Sequence, residues 1–138
     1  MTFNSFNNPG LVKVLKFLQT HNTEYLSGQD LSDVLRISRV AIWKHIKKIQ
    51  DLGYTVESKQ KLGYKLTENS DILFPWEVTS ELKTKVIGQK AYYFDSIDST
   101  QNQALKIANE PENNGAVIIA ATQTGGKGRT GRKWISPK

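Results

Sequence analysis

The sequence predicts an α+β fold built from two modules in succession. Three short segments with apolar residues at helical spacing come first, and two strand-like segments follow them. After residue 67 the order becomes strand, helix, strand. Groups of helices and strands that are segregated along a chain are typical of α+β proteins. The length of 138 residues suits one medium domain or two small ones.

Composition indicates a globular chain without disulfides. The hydrophobic fraction is 38% and the charged fraction is 23%, which argues against disorder. The absence of cysteine excludes a disulfide framework and a thiolate metal site, and we predict no metal ligands. The first thirty residues are polar and contain no long apolar run. We therefore expect no signal peptide or membrane span, and a cytoplasmic location.

The positive charge is concentrated in residues 1–66. They hold ten Lys/Arg against five Asp/Glu, a net charge of +5. Residues 67–138 hold nine against eight, a net charge of +1, so the two parts sum to +6. This imbalance favours a polyanionic partner for the first part of the chain.

The first two helices are predicted from apolar spacing and from the residues at their starts. Pro9 suits the first position of a helix that runs to about His21. Its apolar face is formed by Leu11, Val14, Leu15 and Leu18. Ser27-Gly28-Gln29-Asp30 supplies a turn and a cap before the second helix. That helix is marked by Leu31, Val34 and Leu35.

The third helix begins after a tight turn and combines an apolar face with a cationic one. Ser38 is a good N-cap, the helix runs to about Leu52, and Gly53 ends it. The apolar face is formed by Ile42, Ile46 and Ile49. Two short helices joined in this way, the second with cations on its outer side, are typical of a helix-turn-helix.

A basic hairpin is predicted directly after the third helix. Residues 54–58 and 63–66 read as two short strands, and Lys59-Gln60-Lys61-Leu62 connects them. A hairpin with a basic tip beside a helix-turn-helix is a wing, so we predict a winged helix-turn-helix that binds double-stranded DNA.

The predicted DNA contacts divide into two groups. Contacts to phosphates, which set affinity and salt dependence, are expected from Lys44, Lys47, Lys59 and Lys61. Contacts to bases or sugars are expected at the exposed start of the helix, from Ser38, Arg39, Val40 and Trp43. The alternative is a small helical module whose lysine face is merely solvated.

The second module begins after a polar, turn-rich segment. Within this segment, residues 67–89, a short helix is predicted from Pro75 to Leu82. A strand over 91–94 and a helix over 101–109 follow, capped by Asp98 or Ser99. The residues expected on the inner face of that helix are Ala104, Leu105 and Ala108. The apolar run 116–121 predicts a strand buried on both faces, which makes the order that of an opening α/β domain.

The stretch from Gly125 to Trp134 alternates glycines with cations. No acid occurs from Gln123 to Lys138. Glycine lets a backbone approach a ligand closely, and Arg and Lys donate to phosphates and carboxylates, so the stretch predicts a loop that wraps an anion. It is neither a Walker A loop nor a dinucleotide fingerprint. A flexible basic loop, or a second contact to nucleic acid, is the alternative.

Three stretches together resemble the bifunctional biotin protein ligases and biotin operon repressors. They are Ser27–Leu66, especially Ser38–Ile46, then the segment Asp95–Thr100 (DSIDST), and Gln123–Pro137 (QTGGKGRTGRKWISP). The winged helix alone is unspecific, whereas the second and third stretches at this spacing are specific. The resemblance implies a winged helix-turn-helix over 1–66, a linker over 67–89, and over 90–138 the truncated opening of an α/β, class II synthetase-like ligase domain.

The resemblance also implies a two-step reaction. Biotin and MgATP would give biotinyl-5′-AMP, and the biotinyl group would pass to a lysine of the biotin carboxyl carrier protein of acetyl-CoA carboxylase. Biotinyl-5′-AMP would also act as the corepressor that promotes a homodimer on the operator. No membrane partner is expected.

Site residues follow from the same resemblance. The biotin site would be lined by Ser99, Thr100 and Gln123. The loop over the carboxylate and phosphate would be formed by Gly126, Lys127, Gly128, Arg129 and Arg132. Of these, Lys127 and Arg129 are the candidates for a catalytic role.

The chain departs from the family in two respects. It contains no Lys-Trp-Pro-Asn-Asp segment, and about fifty residues bury too little to hold an α/β domain alone. We therefore expect a fragment that lacks ligase activity. Lys127 and Thr130 stand where arginine is frequent, and lysine lacks the bidentate fork. A stand-alone winged-helix regulator with a vestigial ligase segment is the alternative function.

Overall fold

The structure is a computed structural model that describes residues 8–136. Residues 8–72 form one compact unit, here the first unit, and residues 73–136 form the second unit. Pro137, which ends the third resemblance stretch, lies outside the described residues. Within residues 8–136, every helix is too short or too polar to cross a membrane.

The first unit contains the three expected helices. They are α1 (Pro9–Thr20), α2 (Gly28–Leu35) and α3 (Arg39–Asp51). The side chains of Asn8, Ser27 and Ser38 each accept a hydrogen bond from the backbone N–H three residues later, which satisfies a donor that a helix start leaves unpaired. The helices share a core of Leu11, Val14, Leu15, Leu18, Leu31, Ile42, Ile46 and Ile49.

An antiparallel hairpin follows α3. Its strands are β1 (Thr55–Lys59) and β2 (Gly63–Glu68). The segment between α1 and α2 adds a short third edge, because Leu26 and Tyr64 exchange two backbone hydrogen bonds of 2.8 and 2.9 Å. The predicted winged helix-turn-helix architecture is confirmed.

The second unit has a parallel β-α-β arrangement. Its elements are α4 (Pro75–Ser80), β3 (Ala91–Ile97), α5 (Thr100–Ile107) and β4 (Val117–Gln123), with β3 and β4 paired in parallel. The ring of Phe74 stacks on Trp76 at 4.7 Å and contacts Tyr93 at 5.3 Å, and all three are buried. These ring contacts join α4 to β3. The short helix that the sequence predicts within residues 67–89 is therefore α4, and it packs in the second unit.

The expected inner face of α5 is wrong. Ala104, Leu105 and Ala108 are exposed, and Leu105 is 68% exposed. The inner stripe is formed by Thr100, Gln103 and Ile107, which are half-buried. The helix phase is set at its first residue, because the backbone N–H and hydroxyl of Thr100 both donate to Gln123 on β4.

The expectation that β4 is buried on both faces is also wrong. Its residues are half-buried or exposed, and none of them is fully buried. Among the described residues β4 has β3 as its one neighbouring strand, and α5 packs on it. A parallel strand becomes fully buried only when both faces are covered, which this arrangement does not provide.

Candidate functional site

The outer face of α3 presents cations beside exposed apolar side chains. Lys44 and Lys47 are exposed, and Val40 and Trp43 are 66% and 51% exposed. The buried isoleucines of α3 occupy the opposite side of the helix. A face that combines ammonium groups with apolar contact surface can meet both the phosphates and the bases or sugars of a duplex.

A groove of about 720 Å³ lies between the start of α2, α3 and the hairpin. Its lining includes the predicted DNA contacts Arg39, Val40, Trp43, Lys59 and Lys61. Of the other predicted contacts, Lys44 and Lys47 lie on the outer face of α3, outside the groove lining. Ser38 caps α3, since its hydroxyl accepts a hydrogen bond from the N–H of Ala41 at 3.3 Å. The fold thus brings the helix and hairpin residues of the prediction onto one surface.

Two wing lysines lie against an aromatic ring that the sequence pattern did not single out. The Nζ of Lys59 lies 4.7 Å from the ring centroid of Tyr25, and the Nζ of Lys65 lies 5.8 Å from it. A hydrogen bond with Tyr25, and to a smaller extent the charge of Glu57, raises the pKa of Lys59 above its ordinary value.

In the second unit, the three residues predicted to line a biotin site lie close together. Ser99 is buried, and its hydroxyl caps α5 by accepting from the N–H of Asn102 at 3.4 Å. The Oε1 of Gln123 accepts from the Thr100 N–H at 2.9 Å and from the Thr100 hydroxyl at 3.2 Å. These contacts place polar groups at the junction of β4 and the start of α5.

The glycine-rich loop is closed by its own backbone. The N–H of Trp134 donates to the carbonyl of Gly126 at 3.0 Å, and the N–H of Gly128 donates to that of Arg132 at 2.7 Å. A Cβ on Gly126 would lie 3.2 Å from the side chain of Trp134. Here glycine serves close approach within the loop, and a positive φ is required at Gly131, where φ is +75°.

The predicted loop cations differ in what holds them. Arg129 and Arg132 are exposed, and the backbone over Arg129–Gly131 forms a tight turn in which Thr130 is left-handed, with a φ of +57°. The Nζ of Lys127 instead donates to the Oδ1 of Asn102 on α5 at 3.1 Å. The structure therefore anchors Lys127 beside the predicted biotin-site residues and leaves the arginines at the loop surface.

A chain of hydrogen bonds extends from Lys127 to Asp98. The Nδ2 of Asn102 donates to the Oδ2 of Asp98 at 2.7 Å, so both ends of the Asn102 amide are used. The hydrogen bond from Asn102, and next one from the backbone of Ser99, lower the pKa of Asp98. The carbonyl of Asp98 also accepts from the N–H of Gly125 at 2.7 Å. Asp98 and Asn102 were missed as site residues, although their spacing is a local signal: Asp98 directly precedes the N-cap Ser99, and Asn102 lies in the first turn of α5.

Comparison with known proteins matches each unit to a family. Residues 11–65 match the HTH domain family, and residues 93–138 match the Biotin/lipoate A/B protein ligase family. The HTH match therefore falls on the winged helix-turn-helix of the first unit, and the ligase-family match falls on the β-α-β arrangement of the second unit.

Over most of its length the chain is similar to bifunctional ligase/repressors. It is 42% identical to the bifunctional ligase/repressor BirA of Bacillus subtilis strain 168 over 120 residues, which are 87% of this chain and 37% of that protein. It is 36% identical to the bifunctional ligase/repressor BirA of Escherichia coli K12 over 116 residues, which are 84% of this chain and 35% of that protein. The predicted resemblance is confirmed, and the chain spans little more than a third of the length of these relatives.

Proposed function

We propose that the protein to which this chain belongs is a biotin-dependent transcriptional repressor and a biotin protein ligase. Biotin and ATP would form biotinyl-5′-AMP and pyrophosphate, and the biotinyl group would then pass to a lysine of biotin carboxyl carrier protein. The observation that carries the proposal is the contact between the glycine-rich loop and the start of α5. The Nζ of Lys127 donates to the side chain of Asn102, and the backbone N–H of Asn102 donates to the hydroxyl of Ser99.

The charges of the loop suit the first step. Joining a carboxylate to an α-phosphate brings two anions together, and that approach requires neutralisation of charge and exclusion of water. Lys127 and Arg129 would contact the carboxylate and phosphate oxygens, and Arg132 would add a second guanidinium. The short backbone bridges of Gly126 and Gly128 would hold these cations on a compact loop.

The polar groups at the start of α5 suit the uncharged end of biotin. The hydroxyl of Thr100 and the amide of Gln123 can exchange their mutual hydrogen bond for bonds to a ureido ring, and the hydroxyl of Ser99, which accepts from the Asn102 N–H, can donate to it. Such an exchange keeps the donors and acceptors of this half-buried junction satisfied.

Magnesium would enter with the nucleotide. Residues 8–136 contain no group of three or more His, Asp or Glu side chains that could hold a metal ion. Mg²⁺ commonly keeps several waters and is bound through substrate phosphates, so ATP would supply its ligands here.

The first unit would bind the operator, a double-stranded DNA. The lysines of the outer face of α3 and of the wing would contact phosphates, while Arg39, Val40 and Trp43 would reach bases or sugars. Biotinyl-5′-AMP would act as corepressor by promoting a homodimer that presents two such units to two half-sites. The cytoplasmic location stays a prediction.

By itself the chain is expected to form no biotinyl-5′-AMP. Its second unit contributes two strands and leaves Arg129 and Arg132 of the loop exposed, so the adenylate would have little enclosing surface. Incubation of the chain with biotin and ATP checks this, and accumulation of biotinyl-5′-AMP would contradict it.

Replacement of Arg129 by alanine in a full-length protein is expected to speed the release of biotinyl-5′-AMP about tenfold or more, because a charge-assisted hydrogen bond to the phosphate is lost. The fold should not change, since Arg129 is exposed. The release rate is measured by trapping with unlabelled ligand. Lys85→Ala is the control, because it removes an exposed cation outside the loop. Equal release rates for Arg129→Ala and wild type would refute the role of Arg129.

A further inference from the structure

Tyr25 links the α1–α2 connection to the charged side chains of the wing. It is half-buried, and its ring lies beside the ammonium groups of Lys59 and Lys65 at 4.7 and 5.8 Å. The Nζ of Lys65 also donates to the carbonyl of Thr23 at 3.2 Å, which keeps it near the ring. A cation over an aromatic face is attracted by the ring quadrupole, so both ammonium groups are held at this site.

The same tyrosine engages the carboxylate of the cluster. Its hydroxyl donates a hydrogen bond to the Oε2 of Glu57. Glu57 is the cross-strand partner of Lys65 and stands two residues before Lys59, so all three side chains lie on one face of the hairpin. A free carboxylate at this position would be within easy reach of both lysines.

We propose that Tyr25 is a positioning residue for DNA binding, whose hydroxyl occupies the carboxylate of Glu57 while its ring holds Lys59 beside the α3–wing groove. Lys59 lines that groove together with Arg39 and Trp43, so its position decides whether it adds a phosphate contact to those of the other cations. The inference rests on the proposed binding of DNA by the first unit.

The physical reason is competition for Lys59. An ion pair with Glu57 would cancel the charge that a phosphate must attract, and release of a counterion would then contribute less to binding. The hydroxyl of Tyr25 takes an acceptor site on the Oε2 of Glu57, so a lysine competes less well for that oxygen. The ring meanwhile restricts the long Lys59 side chain, which lowers the entropy that is lost when the phosphate contact forms.

The test uses the whole chain and a short random-sequence DNA duplex, with binding followed by fluorescence anisotropy between about 50 and 200 mM salt. Tyr25→Phe keeps the ring and removes the hydroxyl. We expect it to bind about three- to tenfold more weakly. The negative slope of log K against log salt should become shallower by up to about 0.9, the value for one phosphate. Far-ultraviolet circular dichroism and the thermal midpoint monitor its fold.

Glu57→Gln, alone and combined with Tyr25→Phe, separates positioning from packing. Removal of the carboxylate should strengthen binding more in the Tyr25→Phe background than in the wild type, and the double variant should recover the wild-type salt slope. Wild-type affinity in Tyr25→Phe, or an equal effect of Glu57→Gln in both backgrounds, would overturn the inference while DNA binding stands. A wild-type chain that does not bind the duplex would overturn both.

Discussion

Replacement of Gly63 by alanine is expected to lower the opening free energy of the first unit by about 3 kcal/mol or more. Gly63 has a φ of +109°, a region that residues with a Cβ rarely adopt. A Cβ there would lie 2.1 Å from the carbonyl oxygen of Leu26. That carbonyl is backbone and accepts a hydrogen bond from Tyr64, so relief of the clash would break the third edge of the wing.

Amide hydrogen exchange is the suitable measurement, because a chain of two units need not unfold in one step. Amides of the α3 core, such as Ile46, should exchange roughly 100-fold faster in Gly63→Ala. Gly28→Ala is the matched control, since the nearest atom to its Cβ would lie 3.7 Å away. Equal protection in Gly63→Ala and Gly28→Ala would show that the backbone pairing of Leu26 and Tyr64 does not hold the wing.

Combined replacement of Lys44 and Lys47 by glutamine is expected to weaken duplex binding on the order of tenfold to 100-fold at physiological salt. Both lysines are exposed on the outer face of α3, one turn apart, so each can neutralise a phosphate. The negative slope of log K against log salt should become shallower by about 1.8, because each phosphate contributes about 0.9 to its magnitude. Fluorescence anisotropy over a salt series measures both quantities.

The control for this pair is Lys13→Gln combined with Lys16→Gln. These lysines are exposed on α1 and carry the same charge, but they do not lie on α3 or the wing. The control should keep the wild-type slope and lose little affinity. If both pairs reduce the slope equally, binding depends on net charge and the outer face of α3 has no special role.

The helices of the first unit could be predicted because several local signals agree at each of them. Ser27 and Ser38 cap α2 and α3, the helices whose starts were predicted at these residues. Gly53, with a φ of +89°, follows the end of α3 as expected. The apolar spacing gave the right inner face for α1 and α3, whose predicted core residues are all buried. Local propensity and tertiary packing point to the same structure here.

The second unit was less predictable because its burial depends on neighbours rather than on spacing. Leu105 looks like an inner residue by hydrophobicity, yet the phase of α5 is fixed by the hydrogen bonds between Thr100 and Gln123. The apolar run of β4 predicts a strand correctly but not how much covers it. Propensity gives the element, and only the packing decides which face is buried.

The candidate sites show the same division. Ser99, Thr100 and Gln123 were named from a resemblance, and the fold brings them together. Asn102 could have been found from its spacing to Asp98, but its bond to Lys127 arises only when the loop folds back onto α5. Contacts between distant segments have no local signature in a single sequence.

We expect α3 and the wing to bind DNA, whereas the glycine-rich loop would bind an acyl-phosphate ligand. Titration of the whole chain with a short duplex, followed through the backbone amide resonances, tests it most directly. We expect shifts over residues 38–47 and 58–64 and unchanged resonances over 123–134. Shifts concentrated in residues 125–134, with α3 and the wing unperturbed, would overturn this assignment and make the basic loop the nucleic-acid contact.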